Sequence, residues 1–187
     1  MKYEIRTSFL EEFAEVKGGK RLPKGSNLQT TPNTHPYIRI RDLGSSKILE
    51  LDTNYEYVDD ETQKTISRYI VNEGDILISI VGTIGLIGIV GKTLEKANLT
   101  ENCVKLVNVN GIDREYLYYY LTSKLGQDEI IKGTVGAVQP KLPIKSIQKI
   151  AIKYPLEIDI QKRIASILRS IDEKIALNNA INNNLVA

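Results

Sequence analysis

Cysteine and histidine each occur only once, as Cys103 and His35. A single cysteine excludes an intrachain disulfide framework, and the N-terminus lacks the basic, apolar and small-residue succession of a secretory signal. A metal site or a Ser-His-Asp triad built on His35 would need partners from distant parts of the chain, and only Cys103 could supply a thiolate. We therefore expect a cytoplasmic protein with no catalytic residue, no metal ion and no cofactor.

Long hydrophobic runs are also missing. The most apolar stretch, Ile76–Val90, is interrupted by Gly82, Gly85 and Gly88. It is shorter than the roughly 20 residues that a membrane-spanning helix needs. Its glycines lack the G-x-G-x-x-G spacing and no Lys-Ser or Lys-Thr follows them, so it is not a nucleotide-binding loop. Glycines at every third position of an apolar run are typical of turns and bulges in a curved sheet.

Acidic residues are absent from one stretch and basic residues are nearly absent from the next, where Lys47 is the only cation, although the formal net charge of the chain is only +2. Residues 16–41 include six cations and no Asp or Glu, which gives a local charge of +6, and residues 42–61 have a local charge of −6. A protein with this segregation can turn a basic face toward a polyanion while its total charge stays near zero. The cations that we expect to contact DNA phosphates are Lys17, Lys20, Arg21, Lys24, Arg39 and Arg41.

Short alternating segments and short helical segments predict an α+β domain with a curved mixed or antiparallel sheet and short helices. Asp113 is placed to cap a helix, and Gly126 is placed to end it. A short helix is predicted around Ser8–Val16. The remaining elements are expected as strands at Tyr37–Arg41, Ile76–Val81, Ile84–Val90, Cys103–Val109 and Lys149–Lys153, with a helical turn at Pro143–Gln148.

After Pro155, apolar residues recur every three or four positions, which predicts a long amphipathic helix over residues 156–187. The repeat is close to a heptad, with polar residues such as Asn178 in its middle. Such a stripe packs either on its own domain or on a second helix, and the polar residues at 182–184 favour the second helix. We therefore divide the chain into a domain, residues 1–155, and a spacer and dimerisation helix, residues 156–187. The positions expected at the helix interface are Ile164, Ile167, Leu168, Ile171, Ile175, Asn178, Ile181 and Leu185.

Five segments follow one another in a fixed order, before the isoleucine-rich helix. They are Gly18-Gly-Lys-Arg-Leu-Pro-Lys-Gly25, His35-Pro-Tyr-Ile-Arg-Ile-Arg-Asp42, Gly74-Asp-Ile-Leu-Ile-Ser-Ile-Val-Gly-Thr-Ile-Gly85, Leu99-Thr-Glu-Asn102 and Gly133-Thr-Val-Gly-Ala-Val-Gln-Pro140. Together they resemble one target-recognition domain, with its connecting helix, of the specificity subunits of type I restriction-modification systems. The resemblance covers about residues 16–185 and is only partial at Tyr154–Gln161.

The resemblance implies a subunit that reads double-stranded DNA and has no chemistry of its own. Methylation and cleavage would belong to a modification subunit and a restriction subunit, which supply the S-adenosylmethionine and ATP sites. Specificity subunits of this family usually carry two recognition domains joined by antiparallel helices, and each domain reads one half of a bipartite target. Because this sequence has one copy, we expect either a half-subunit that pairs as a homodimer or a fragment of a longer protein.

Some residues keep two interpretations. His35 belongs to the His-Pro-Tyr-Ile-Arg pattern of the resemblance, where it makes either a DNA contact or a structural hydrogen bond. The loop 133–141 carries Gln139, whose amide can pair with an adenine edge, and Lys141, which can meet guanine or phosphate, but this loop can equally be a simple connection. Core packing is favoured over base stacking for Tyr116, Tyr118, Tyr119 and Tyr120.

A different class of protein also fits part of the pattern. The isoleucine-rich helix could be a coiled-coil interaction module, and the basic stretch could be only a solvated face. This alternative lacks specific DNA binding, so it differs from the DNA-reading subunit by the absence of salt-sensitive duplex binding.

Overall fold

The structure is a computed structural model that describes residues 3–185, and the side chains of residues 3–182. The strands are β1 (Ile5–Phe9), β2 (Glu15–Gly18), β3 (Pro36–Ile38), β4 (Ile48–Leu49), β5 (Glu56–Tyr57), β6 (Ile76–Ser79), β7 (Ile87–Val90), β8 (Asn98–Leu99), β9 (Cys103–Val107) and β10 (Ala151–Pro155). The α-helices are α1 (Asp60–Ile66), α2 (Arg114–Thr122), α3 (Lys124–Gly133), α4 (Ile144–Gln148) and α5 (Ile158–Leu185). Within residues 3–185, none of the helices has the length and apolar character to cross a membrane.

Strand β6 lies at the centre of the main sheet. It pairs antiparallel with β9 on one side and with β7 on the other, in a five-stranded sheet of order β2-β9-β6-β7-β4. The edge strand β4 runs parallel to β7. Ile76 and Ile78 of β6 point into a core that α2, α3 and α4 cover, whereas Leu77 points into a second core on the other face. This arrangement explains why the β6 sequence is an uninterrupted apolar run.

Two smaller sheets complete the domain. Strands β1 and β10 pair antiparallel over five residues and tie the N-terminal segment to the strand that precedes α5. Strand β3 lies between β5 and β8, antiparallel to the first and parallel to the second. The α+β class is therefore confirmed, with the strands distributed over three sheets.

The helix predicted over Ser8–Val16 is wrong. This segment finishes β1, makes a 3₁₀ turn over Leu10–Glu12 and then starts β2. The turn places Leu10 in the first core, where its side chain is fully buried and its amide donates to the Ile150 carbonyl at 2.9 Å. Pairing with β9 and β10 outweighs the local helix propensity of the segment.

The predicted strand over Tyr37–Arg41 ends early. Residues 40–42 instead form a 3₁₀ turn, in which the Asp42 carboxylate accepts a hydrogen bond of 2.6 Å from the Arg39 amide. Asp42 competes with the sheet for this amide, as short polar side chains commonly do. The basic residues after Ile38 therefore lie on a turn rather than on a strand face.

Gly126 does not end the helix that Asp113 begins. The Asp113 side chain caps α2 as predicted, by accepting a hydrogen bond of 2.9 Å from the Tyr116 amide. Helix α2 ends at Thr122, and Ser123 immediately caps α3. A Cβ on Gly126 would lie 2.2 Å from the Tyr120 carbonyl oxygen, so glycine is required for the close corner between the two helices.

We predict that Cys103 does not react with thiol reagents in the folded protein. Its side chain is fully buried in the second core, and burial raises the pKa of the thiol to about 12. The thiolate, which is the reactive form, is therefore both scarce and inaccessible at pH 8. Alkylation followed by mass spectrometry should show little labelling in buffer and complete labelling in urea. Rapid stoichiometric labelling in buffer would contradict the packing of β9.

Candidate nucleic-acid interface

Four loops meet at one end of the five-stranded sheet, which we call the loop end. They comprise residues 19–21, 80–86, 100–102 and 134–142. The Gly19 amide donates to the Cys103 carbonyl and the Ile80 amide to the Asn102 carbonyl, which joins the first three loops. The Leu142 amide donates to the Ile80 carbonyl at 2.9 Å and attaches the fourth loop.

The turn 80–86 is fixed by Ser79, which is fully buried at the end of β6. Its hydroxyl donates to the Thr83 carbonyl at 2.6 Å and accepts from the Leu86 amide at 2.9 Å. Gly82 and Gly85 have φ values of +73° and +86°, which are unfavourable for other residues. These contacts confirm that the glycine-rich run is a structural turn. Its position presents Thr83 at the loop end.

The loop 134–141 is a hairpin with a fixed base and a free tip. Val135 and Lys141 exchange two backbone hydrogen bonds of 2.9 Å, and Gly136 at the turn has φ +97°. Val138 at the tip is 99% exposed, and the side chains of Gln139 and Lys141 are also exposed. The loop is therefore held firmly at the end of the sheet and offers its tip side chains to a ligand.

Lys20 and Arg21 lie at the loop end, directly after β2. The Lys20 amide donates to the Leu99 carbonyl at 2.8 Å, and the ammonium lies 5.5 Å from the centre of the Tyr69 ring. The Arg21 side chain is 81% exposed and pairs with Glu101 at 2.7 Å. Burial disfavours ionisation of Glu101, but hydrogen bonds, led by that from Arg21, outweigh it and lower the pKa of this carboxyl. Arg21 is thus held at the loop end by a neighbouring carboxylate.

The basic stretch 16–41 is partly neutralised by carboxylates from outside it. Besides Arg21, Lys17 pairs with Glu15 at 2.9 Å, and both Arg39 and Arg41 pair with Glu56. The two arginines therefore point toward the same acidic residue of the stretch that follows. Four of the six cations in this stretch are thus paired with a carboxylate. In the described part of the chain, the cations of this stretch without an ion pair are Lys20 and Lys24.

His35 lies at the end of β3 that is remote from the loop end. Its Nε2 is 3.0 Å from an Asp60 carboxylate oxygen, and its backbone amide donates to the Asn33 side chain at 2.7 Å. Ile38, at the other end of β3, accepts a hydrogen bond from Thr100 of the loop end. The geometry gives His35 a structural hydrogen bond and separates it from the converging loops. Among the residues that the structure describes, no group of three His, Cys, Asp or Glu could hold a metal ion.

Residues 130–156 form a second stretch without acidic residues, which the sequence analysis does not predict as a basic surface. It contains five lysines and no Asp or Glu. Lys132 pairs with Glu129, whereas the other four form no ion pair with any side chain of residues 3–182. The five lysines can be read from the sequence, but they are spread over 27 positions and form no local run of positive charge. The four lysines without an ion pair are Lys141, Lys145, Lys149 and Lys153.

The tyrosines of α2 face the protein rather than a ligand. Tyr116 and Tyr120 donate hydrogen bonds to the carbonyls of Lys153 and Ala151 in β10, at 2.8 and 3.0 Å. Tyr118 packs at the edge of the first core. This arrangement agrees with core packing, which the helical spacing favours over base stacking.

Helix α5 is attached to the domain in its first turn by Gln161. This side chain is completely buried, although glutamine is polar. Its amide oxygen accepts from the Asp113 backbone amide at 2.7 Å, and its amide nitrogen donates to the Pro155 carbonyl at 2.8 Å. Both polar atoms are therefore satisfied, and α5 is tied to the start of α2 and the end of β10.

A second attachment lies two to three turns further along α5. Five side chains, which we call the junction cluster, meet here: Lys47, Glu115, Tyr119, Arg169 and Asp172. Glu115 of α2 pairs with Lys47 at 2.8 Å and with Arg169 at 3.0 Å, and the Tyr119 hydroxyl donates to Asp172 at 2.6 Å. Burial, together with the hydrogen bond to Asp172, raises the pKa of Tyr119. Sequence reasoning missed this cluster because its members come from three distant segments.

The apolar stripe of α5 is largely open to solvent. Ile167 and Ile171 are 62% and 48% exposed, whereas Ile164 and Leu168 are partly buried. Ala165 on the domain-facing side is buried. The other expected interface positions that the structure describes, which are also exposed, are Ile175, Asn178 and Ile181. The side chain of Leu185 lies outside the described residues.

We predict that Tyr119→Phe lowers the free energy of unfolding by about 1 kcal/mol, because the hydrogen bond to Asp172, which is exposed to solvent, is lost. The matched control is Tyr118→Phe, since the Tyr118 hydroxyl makes no hydrogen bond to the described residues. Urea unfolding followed by circular dichroism measures both variants. Equal losses for the two variants would contradict the junction cluster.

The sequence matches the family model of the type I restriction modification DNA specificity domain over residues 3–187. The chain therefore belongs to this family. It is 24% identical over 166 residues to the Type I restriction enzyme MjaIX specificity subunit of Methanocaldococcus jannaschii, and 26% identical over 176 residues to the MjaVIII specificity subunit of the same organism. These alignments cover 89% and 90% of this chain but only 37% and 39% of the relatives. The chain thus spans less than two fifths of their length.

Solved structures show the same fold. The S subunit of a type I restriction-modification system from M. genitalium superposes with a TM-score of 0.66 at 15% identity, over 94% of this chain and 41% of that one. The HsdS subunit from Thermoanaerobacter tengcongensis superposes with a TM-score of 0.66 at 20% identity, over 92% of this chain and 38% of that one. The long helix after a mixed α+β domain is thus a shared architecture.

Proposed function

We propose that this chain reads one half of a bipartite double-stranded DNA target as a specificity domain of a type I restriction-modification complex. Family membership over residues 3–187 and the names of the relatives support this function. The observation that carries it in the structure is the convergence of four loops at one end of the main sheet. Loops held on a rigid scaffold are a common way to present binding residues.

The loop end supplies two kinds of contact to DNA. Lys20 and Arg21 on one side, and Lys141 on the other, are suited to phosphate groups, which position a protein without reading sequence. Gln139 beside the exposed hairpin tip is suited to a base edge, since an amide can pair with adenine in the major groove. Of the remaining candidates, Lys24 stays a phosphate contact, whereas Lys17, His35, Arg39 and Arg41 make at most peripheral contacts.

The proposed subunit performs no chemistry itself. Methylation and cleavage belong to a modification subunit and a restriction subunit, which bind S-adenosylmethionine and ATP and which this chain directs to DNA. Such a complex works where it meets DNA, which gives a cytoplasmic location. Residues 1–155 act as the recognition domain, and residues 156–187 act as the assembly helix.

The exposed stripe of α5 is the surface that pairs with a second recognition domain. At about 100° per residue, Ile164, Ile167 and Ile171 lie within roughly 60° of one another around the helix axis. Ala165 and Gln161, which face the domain, lie about a quarter turn or more away from the middle of this stripe. The stripe can therefore contact a second helix while α5 stays attached to its own domain. We propose an antiparallel pair, formed with another copy of the chain or with a second domain of the same subunit.

We predict that replacing Ile167 and Ile171 with Glu abolishes self-association or docking to a second recognition domain, because two carboxylates would enter an apolar interface. The matched control is Ser166→Glu with Ala180→Glu, which adds the same charge to exposed positions on another side of α5. Analytical ultracentrifugation of the full chain, alone and with a methyltransferase subunit, measures association. A wild-type chain that stays monomeric and also binds no methyltransferase subunit would exclude the pairing role.

We predict that replacing Lys20, Arg21 and Lys24 together with Ala weakens binding to duplexes of every sequence. Each lost phosphate contact should reduce the slope of log K against log salt by about 0.9. The matched control replaces Lys92 and Lys96, which lie at the opposite end of the sheet near the start of β6. Fluorescence anisotropy at several salt concentrations measures affinity and slope. An unchanged affinity and slope would remove this loop from the DNA surface.

The second candidate function is a coiled-coil interaction module without specific DNA binding. The exposure of the α5 isoleucines favours an interface of this kind. The same two experiments separate the candidates, because the module would retain helix pairing and would show no salt-dependent binding to duplex DNA.

A further inference from the structure

Helix α4 and the residue that caps its C-terminal end present two lysines directly to solvent. Ile147 is fully buried in the first core. Lys145 and Lys149 lie two residues before and two residues after it, so both project from the opposite side of this short helix at about 160° and 200° from Ile147. Both residues are exposed. The buried isoleucine therefore fixes the direction in which the two ammonium groups point.

Helix α4 starts at the loop end and runs back along the edge of the main sheet. Lys141, which precedes this helix, forms an antiparallel β-bridge through its backbone with Val81 of the turn 80–86. A Cβ on Gly18, the last residue of β2, would lie 3.7 Å from the Ile144 side chain at the start of α4. After α4 the chain continues to Ile150, whose carbonyl accepts a hydrogen bond from the amide of Leu10, a residue that precedes β2. The lysines at 141, 145 and 149 thus lead away from the loop end in one direction.

We propose that Lys141, Lys145 and Lys149 form a row that binds the phosphates of one DNA strand beside the loop end. This inference rests on the proposed function and adds further backbone contacts on a surface outside the basic stretch 16–41. Four of the six cations in that stretch have carboxylate partners, whereas the lysines of the row have none among the side chains of residues 3–182. An ammonium without a competing carboxylate is free to replace a counterion on DNA.

A duplex is the occupant that this row favours. The three lysines are carried by a backbone that Leu142, Ile147 and Ile150 fix to the core, so little backbone freedom is lost when they meet a regular array of phosphates. The row also adjoins the hairpin that carries Gln139, which allows one strand to be held while a base edge is read. Lysine is suited to a phosphate as a point charge and carries no sequence information there.

The experiment compares the full chain with the variant Lys145→Ala/Lys149→Ala, alone and in complex with a methyltransferase subunit. The probes are a duplex that contains the selected target and a duplex of unrelated sequence. We expect the double variant to bind both duplexes less tightly by a common factor of roughly 10 to 60 at 0.1 M salt, and its salt slope to fall by about 1.8. Base preference, measured by selection from a random library, should not change. Lys145→Arg/Lys149→Arg should restore affinity, and Lys92→Ala/Lys96→Ala should leave it unchanged.

The possible failures are distinguishable. If Lys145→Ala/Lys149→Ala keeps the wild-type affinity and salt slope while Lys20, Arg21 and Lys24 replaced by Ala lose both, the row is wrong and the proposed function stands. If the double variant binds DNA normally but no longer binds the methyltransferase subunit, the row contacts protein and the inference is overturned. If the wild-type chain binds no duplex in either form, the proposed function fails together with the row.

Discussion

Strand β6 connects two hydrophobic cores because its consecutive side chains alternate between the two faces of the sheet. Ile76 and Ile78 belong to the first core, which the helices cover. Leu77 belongs to the second core, on the other face of the sheet. The strand also pairs on both edges, so its backbone groups are satisfied by β9 and β7. The loops that gather beyond Ser79 depend on this strand for their position. A polar face on β6 would uncouple the two halves of the domain.

Charge in this protein is organised in space differently from its order along the chain. Glu56, from the acidic stretch, lies against Arg39 and Arg41 of the basic stretch, so two opposite blocks become one compact ion-pair group. Ion pairs at a protein surface contribute on the order of 0 to 1 kcal/mol to stability, and these pairs are partly buried, since the Arg39 and Glu56 side chains are 31% and 21% exposed. Their larger effect here is that Arg39 and Arg41 already have a carboxylate partner and are less available to bind a phosphate. A count of charges along a sequence therefore overestimates the potential at a surface whenever partners return from elsewhere.

The sequence predicts well those features that depend on residues close together in the chain. The Asp113 cap, the glycine turn after β6 and the long helix after Pro155 each depend on residues within a few positions, and the structure confirms them. The prediction for segment 8–16 fails because the strand partners of this segment lie 90 or more residues away. The junction cluster is invisible for the same reason, since its members come from segments that meet only in the folded chain. Side-chain partners, which decide whether Arg39 faces a ligand or Glu56, are likewise a property of the tertiary structure.

The two attachments of α5, at Gln161 and at the junction cluster, lie about 16 Å apart along the helix axis and make the helix a rigid arm. Beyond Asp172 this arm continues for about 20 Å to Leu185. A tilt of about 10° at the cluster would move its far end by about 3.5 Å, which is close to the rise of one base pair. Under the proposed antiparallel pairing of two such arms, the contacts of the junction cluster would therefore limit how far the distance between the two recognition domains can vary.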